Sequence, residues 1–199
     1  MSTRLISLFL CLIISMLSRA QGWKQKQLDS AATAANIAYL SQTEKDAIMY
    51  INLCRLFPKD FEHIELSQYE TDPAYEASYL KMFAEYKKSL QQDLLKRVAV
   101  AALVFDEVLY KDAKCYSTEI SKADRKPHER KDCPPSNYAE CLSYGQSTGQ
   151  DIAMQLLIDA GVTSLGHRIN CLNKEYHKIG LSAGEHFEWK YCAVAEFIW

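Results

Sequence analysis

Two histidines and two acids in the second half of the chain are of the right types to form one polar site. His128 lies in a charged loop and Glu140 in the segment AECLSYG. Asp159 ends an apolar helical run, and His167 lies in the segment SLGHRINCLNKEYHKIG. Neutral imidazoles are good ligands for Zn²⁺ and similar ions, and carboxylates commonly accept the other ring N–H of such ligands. The four residues therefore define a candidate cation site.

Two imidazoles fill only half of a tetrahedral zinc site, so two positions would remain for water or a bound ligand. Such an ion would be held weakly and would exchange. The same arrangement could also polarise a water molecule, with Glu140 or Asp159 as candidate general base. We therefore expect a binding protein, with a metal-assisted hydrolase of peptide or ester bonds as the alternative.

Each of the four residues also has a structural explanation. His128 could be an ordinary loop histidine, and His167 could bond the loop backbone beside Gly166. Glu140 could close a hydrogen-bond network, and Asp159 could be a solvated acid at a helix end. An acid there faces the negative end of the helix dipole, which is unfavourable unless a nearby cation offsets it. A structural or adhesion protein with no ligand is thus a second alternative.

The N-terminus has the pattern of an export signal. Residues 1–20 combine Arg4, an apolar run over 5–17 and small residues before a cleavage site, which predicts a secretory signal peptide. We expect a leader over 21–42 and one domain over 43–199, because that length suits a single core. No later segment is long and apolar enough to predict a transmembrane helix. The chain should therefore be extracellular or periplasmic.

The composition argues against nucleic-acid binding and for disulfides. The 23 basic and 25 acidic side chains give a net charge of −2, which offers no basic surface for a polyanion. Seven cysteines include Cys11 of the predicted signal, and an even number remains in an exported chain, which indicates disulfides. The candidates are Cys54, Cys115, Cys133, Cys141, Cys171 and Cys192. The sequence leaves their pairing open; our hypothesis is Cys133 with Cys141, Cys171 with Cys192, and Cys54 with Cys115.

Apolar residues at helical spacing predict the elements that carry these groups. Helices are expected from a cap at Thr43 to Pro58, from Pro73 to about 94, over about 106–121, and from a cap at Thr148 to a C-cap at Gly161. The run 98–105 is apolar enough to be buried. Loops are expected at 65–73 and 122–137. Strand-like runs at 178–183 and 190–199 predict a hairpin. Helices packed on a mainly antiparallel sheet are an α+β arrangement.

Several segments together resemble one known family. NLCRLFP, AECLSYG, LLIDAGV, SLGHRINCLNKEYHKIG and YCAVAEF resemble segments of the CAP superfamily (cysteine-rich secretory, antigen 5 and pathogenesis-related proteins), in its bacterial secreted SCP-like branch. The resemblance covers residues 45–197. It implies a three-layer α-β-α sandwich whose cleft holds two histidines and two acids, here His128, Glu140, Asp159 and His167.

The chain departs from the family pattern around the same residues. Ala139 and Cys141 replace the glycine and asparagine that flank the family's acid. Arg168 stands where an aromatic residue is common, and Asp159 is one methylene shorter than the glutamate of many members. A shorter acid implies a slightly tighter cleft or a bridging water.

The resemblance and the residues together lead to one expectation. We expect a secreted CAP-domain protein in which His128 and His167 ligate a weakly bound divalent cation, Zn²⁺ or another. Glu140 and Asp159 would hydrogen-bond the rings. Sterol and fatty-acid binding by some members of the superfamily implies that a small ligand, a lipid or a protein could bind in the cleft or on the surface.

Overall fold

A computed structural model of the 199-residue chain describes residues 22–71, 80, 81, 83–122 and 128–199. The predicted signal peptide lies outside these residues. So does the start of the helix predicted from Pro73. Among the helices of the described ranges, none is both long and apolar enough to cross a membrane.

Helices dominate the first half of the described chain, and strands are concentrated in the second. The first half contains α1 (Gln25–Ala31), α2 (Gln42–Leu56), α3 (Pro58–Ile64), a 3₁₀ helix (Leu66–Thr71) and α4 (Ala84–Leu94). The second contains β1 (Val104–Phe105), α5 (Glu107–Ile120), β2 (Ala139–Tyr144), α6 (Gly149–Ile158), α7 (Gly166–Leu172), β3 (Lys178–His186) and β4 (Lys190–Ile198).

Helix caps explain where two of the helices begin. Ser41, not the predicted Thr43, caps α2: its hydroxyl accepts the N–H of Glu44, whose carboxylate accepts the N–H of Ser41. This reciprocal capping box satisfies two N–H groups that the helix leaves unpaired. Thr148 caps α6 as predicted. At the other end of α6 the predicted cap is wrong, because Asp159 rather than Gly161 is the C-cap.

The four described strands form one mixed sheet in the order β1-β3-β4-β2. The predicted hairpin is confirmed, since β3 and β4 pair antiparallel. Strand β2 adds antiparallel to β4, while the short β1 pairs parallel with β3. In this register Glu140 of β2 lies directly opposite Glu196 of β4.

Helices cover both faces of the sheet, which confirms the α-β-α sandwich. One face packs on α2, α6 and α7 through the main apolar core. The other face packs on α5 through a smaller cluster that includes Tyr116, Leu142 and Val194. Helix α5 lies so close to β3 that a Cβ on Gly180 would meet the backbone N of Tyr110 at 2.1 Å. Glycine at this position therefore permits the contact.

Residues 22–42, predicted as a leader, pack into the main core. Trp23, Ala31 and Leu40 are buried there, and Trp23 Nε1 donates to a carboxylate oxygen of Glu65 at 2.6 Å. The segment therefore contributes to the same core as the rest of the domain.

The apolar run 98–105 is buried only in part. Leu103 is fully buried, but Val98 is 81% exposed and Val104 is 57% exposed. The run is largely irregular and lies along the surface, so the prediction that it is buried is wrong for these two valines.

Candidate functional site

The loop that carries His128 is held against α5 by contacts at several points. Cys133 of the loop forms a disulfide with Cys115 of α5. The Glu119 carboxylate accepts the backbone N–H groups of Lys131, Asp132 and Cys133 at 2.8, 3.1 and 3.0 Å. A carboxylate that accepts several backbone N–H groups fixes the local chain direction. The described part of this loop is thus anchored next to His128.

The hypothesised disulfide pairing is wrong, because Cys115 and Cys133 bond each other. Cys54, Cys141, Cys171 and Cys192 are free and buried. The sheet itself separates the expected partners: Cys171 belongs to the main core on one face, while Cys192 belongs to the smaller cluster on the other. Spacing along the chain carries no information about which face a cysteine occupies.

Arg130 lies at the centre of a buried group of acids next to the loop. Its guanidinium, whose side chain is 5% exposed, contacts Asp112 at 3.0 Å and also binds Glu140 and Glu196. It stacks over the ring of Tyr116 at 4.6 Å, a cation–π contact. Three carboxyl groups share one cation, so their mutual repulsion favours a proton on one of the acids.

Glu140 and Glu196 differ in their pKa values and therefore in their protonation states. Burial, together with the adjacent Glu140, raises the pKa of Glu196 from 4.5 to about 10. Burial also acts to raise the pKa of Glu140, but its hydrogen bonds with His128, Glu196 and Arg130 outweigh this and lower it. At neutral pH, Glu140 is therefore ionised and Glu196 is neutral.

His128 and Glu140 form the first histidine–carboxylate pair. His128 Nδ1 lies 2.7 Å from Glu140 Oε1, with the imidazole half exposed and the carboxylate buried. Because the ionised carboxylate can only accept, Nδ1 donates, and a neutral ring then keeps its lone pair on Nε2. His128 has φ 67°, in the left-handed region. Strained backbone of this kind is concentrated at functional sites.

A cavity of about 540 Å³ opens beside this first pair. It is lined by His128, Glu129, Arg130, Pro135, Ser136, Tyr138 and Glu140. The lining combines an imidazole, a guanidinium and two carboxylates with one aromatic ring. Such a cavity suits a small polar ligand better than an apolar one.

Asp159 and His167 form the second pair. Asp159 Oδ1 lies 2.7 Å from His167 Nδ1, and Oδ2 accepts the backbone N–H groups of His167 and Arg168 at 2.9 and 3.2 Å. The acid, 2% exposed, therefore caps the N-terminus of α7. Asp159 ends α6 with φ 58°, a conformation that aspartate tolerates better than most residues. The solvated-acid alternative for Asp159 is wrong.

Arg168 supplies the nearby cation that an acid at the end of α6 requires. Its guanidinium donates to the carbonyls of Leu157 and Ile158 at 2.8 and 2.7 Å, and to the carbonyl of Tyr86 at 2.9 Å. It thus satisfies carbonyls at the C-terminus of α6. Burial lowers the pKa of Arg168. An aromatic residue could make none of these bonds, which gives this departure from the family pattern a physical role.

The two pairs lie on neighbouring segments at the edge strand β2. Glu140 and Leu142 point to the α5 face, and Cys141 points to the α7 face. The Cys141 thiol lies 3.8 Å from the carbonyl oxygen of His167. The pairs therefore approach the start of β2 from its two faces. Within the described ranges, no three or more His, Cys, Asp or Glu side chains cluster closely enough to hold an ion.

Arg55 is a supporting residue that sequence reasoning missed. This fully buried arginine of α2 donates to the carbonyls of Cys171, Asn173 and Tyr176 at 2.7, 2.9 and 2.9 Å, and to that of Ala101 at 2.9 Å. Burial lowers its pKa to about 10. These hydrogen bonds from Arg55 hold the backbone of residues 171–176, which follow His167, in place. The signal for Arg55 in the sequence was a charged residue among the apolar positions of a predicted helix.

One known protein family matches most of the chain. The model of the CAP family, the cysteine-rich secretory protein family, matches residues 51–199, about three quarters of the chain. The match includes both histidine–carboxylate pairs and the four strands of the described residues. No curated protein matches the chain.

Proposed function

Because the chain belongs to the cysteine-rich secretory protein (CAP) family, we propose that it is an exported binding protein that holds a divalent cation between His128 and His167. A small polar ligand would occupy the cavity beside the cation. The observation that carries the proposal is common to both histidines: each directs Nδ1 to a buried carboxylate at 2.7 Å. Both rings therefore keep Nε2 for an ion.

The donor chemistry fits a borderline cation such as Zn²⁺. Neutral imidazole is a preferred zinc ligand, and a carboxylate on the opposite ring nitrogen fixes the tautomer and raises the basicity of the ligand. Two protein ligands leave the remaining positions to water or to an anionic group of the ligand. When bound, the ion would supply Lewis acidity at those open positions. We expect weak, exchangeable binding.

The hydrogen bonds of the two acids favour binding over hydrolysis. A general base needs a free oxygen near the water that it deprotonates. Glu140 gives one oxygen to His128 and the other to Arg130. Asp159 gives both oxygens to the ring and backbone of α7. Both oxygens of each acid are thus occupied by hydrogen bonds to the protein. The metal-assisted hydrolase therefore remains the less supported alternative.

Export is supported by the Cys115–Cys133 disulfide and by the family description. Disulfides persist in oxidising compartments and are rare in the reducing cytosol. We therefore propose an extracellular or periplasmic protein.

Titration calorimetry with zinc tests the cation proposal. The experiment compares the unmodified protein with His128→Ala, His167→Ala and the double variant, and uses His177→Ala as a control because that histidine is exposed and outside the site. Each single site variant should weaken binding at least tenfold, and the control should bind as the unmodified protein does. Equal heats in the unmodified protein and the double variant would refute the proposal. Circular dichroism of each variant verifies its fold.

The cavity can be tested with ligands of contrasting chemistry. Small carboxylates and phosphates should bind more tightly with zinc present, and Arg130 should contribute to their affinity. Fatty acids and sterols should bind no more tightly with zinc than without it, since the lining of this cavity is mainly polar and charged. Zinc-independent binding of the small anions would contradict the proposed role of the cavity.

A further inference from the structure

Two of the free cysteines lie together between the histidine–carboxylate pairs. Cys141 follows Glu140 in β2, and Cys171 lies one helical turn after His167 in α7. Both side chains are fully buried in the main core on the same face of the sheet. Nothing in the cation proposal uses them.

Several contacts bring the Cys141 thiol against the inner face of α7. It donates to the His167 carbonyl oxygen at 3.8 Å, and the side-chain amide of Asn170 donates to its sulfur at 3.6 Å. Residues 167 and 171 are one turn apart and share a helix face. The thiol of Cys171 in turn interacts with the thiol of Cys141. The two thiols therefore lie within hydrogen-bonding reach of each other where β2 contacts α7.

We propose that Cys141 and Cys171 form a second disulfide, made by thiol–disulfide exchange in the compartment where Cys115 and Cys133 are joined. One thiolate attacks a small disulfide oxidant such as glutathione disulfide, forms a mixed disulfide and expels one thiol. The other cysteine thiolate then attacks the protein sulfur of the mixed disulfide and expels the second thiol. The protein loses two protons and two electrons, and the oxidant is reduced to two thiols.

Burial determines when this exchange takes place. The folded core excludes an oxidant from both sulfurs, because both side chains are fully buried. Exchange in the folded protein is therefore slow, because the oxidant cannot reach either sulfur. The bond is therefore made before the core closes, and afterwards the same burial protects it from reduction.

The remaining cysteines are poorly placed to compete. Cys192 lies on the opposite face of the sheet, where its thiol contacts the carbonyls of Ser117 and Glu185. Cys54 lies in α2 and not in the contact between β2 and α7. We therefore expect both to remain reduced.

A Cys141–Cys171 bond would join the two halves of the candidate site. It would tie the residue next to Glu140 to the helix that carries His167. The separation of the two pairs would then be fixed covalently as well as by packing. This inference does not depend on cation binding, because the bond can be detected whether or not the protein binds a metal.

Peptide mapping tests the bond directly. The full protein is refolded in a glutathione redox buffer until Cys115 and Cys133 are linked, the remaining thiols are alkylated in denaturant, and a non-reduced digest is analysed by mass spectrometry. We expect one further linked peptide pair, containing Cys141 and Cys171, with Cys54 and Cys192 alkylated. Alkylated Cys141 and Cys171 beside an intact Cys115–Cys133 link would overturn the proposal. A link of either cysteine to Cys54 or Cys192 would also overturn it.

Matched variants provide a second readout. Cys141→Ser should leave Cys171 alkylated, whereas Cys192→Ser should leave the second link intact. In the unmodified protein, selective loss of this link should lower the denaturation midpoint. If Cys141→Ser fails to fold, the digest of the unmodified protein still decides the question. Zinc titration of the linked and unlinked forms is a separate measurement, so failure of the cation proposal and failure of this one can be told apart.

Discussion

Glu140 of β2 lies directly opposite Glu196 of β4, and both carboxyl groups bind the guanidinium of Arg130. Two ionised acids opposite each other in a buried sheet would repel strongly. A proton on Glu196 and the charge of Arg130 remove that repulsion. Glu140 is then left ionised and can accept a hydrogen bond from the ring of His128.

Glu196→Gln tests whether Glu196 carries this proton. With a folded-state pKa of about 10 against an ordinary 4.5, Glu196 keeps a proton that the unfolded chain releases. Its contribution to stability is therefore complete below about pH 4.5 and decreases as the pH rises towards 10. Glutamine does not titrate. The unmodified protein should thus lose stability relative to Glu196→Gln by up to about 1.4 kcal/mol per pH unit between about pH 5 and pH 9.

Urea unfolding at several pH values measures this difference. Parallel pH dependences for the two proteins would show that Glu196 is ionised in the fold and would contradict the assigned proton.

Arg130→Leu should destabilise the protein strongly. The change leaves Asp112 and Glu140 without their shared cation in a buried environment, which costs about 3–5 kcal/mol for a broken buried ion pair. It should also raise the pKa of Glu140 and loosen His128. The neighbouring Lys131 is exposed, so Lys131→Leu is the matched control and should change stability by no more than about 0.5 kcal/mol. Urea unfolding that gives equal stabilities for the two variants would contradict this.

Asp159→Asn should weaken zinc binding. Asparagine keeps the size of the side chain and tolerates the left-handed backbone, but it can no longer hold His167 as the Nδ1–H tautomer through a charged oxygen. Loss of such a partner typically costs about 10–100-fold in metal affinity. The measurement is zinc affinity by calorimetry, with exposed Asp29→Asn in α1 as control. An unchanged zinc affinity in Asp159→Asn would show that Asp159 does not contribute to cation binding and would contradict the prediction.

Local patterns predicted the parts of the fold that depend on local chemistry. Thr148 begins a helix because its hydroxyl can accept a nearby N–H, and the β3–β4 hairpin follows from two apolar runs around a short turn. The same reasoning selected His128 and His167, whose residue types suit a cation. The structure places each one against an acid that the sequence analysis also named.

Contacts between distant segments could not be predicted in this way. The role of Arg130 depends on the register that sets Glu140 against Glu196, and register is a property of three-dimensional pairing. The pairing of Cys115 with Cys133 depends on how the loop folds back on α5. Asp159 was expected at an unfavourable helix end, but the following turn brings its carboxylate to the start of the next helix, where a negative charge is favourable.

Anomalous diffraction at the zinc edge, on crystals of the protein grown with zinc, tests the shared cation most directly. The account predicts one strong peak at the start of β2, about 2.0–2.1 Å from Nε2 of both His128 and His167, with water completing the coordination. A peak on only one of the two histidines would contradict it, as would zinc bound elsewhere with both rings free.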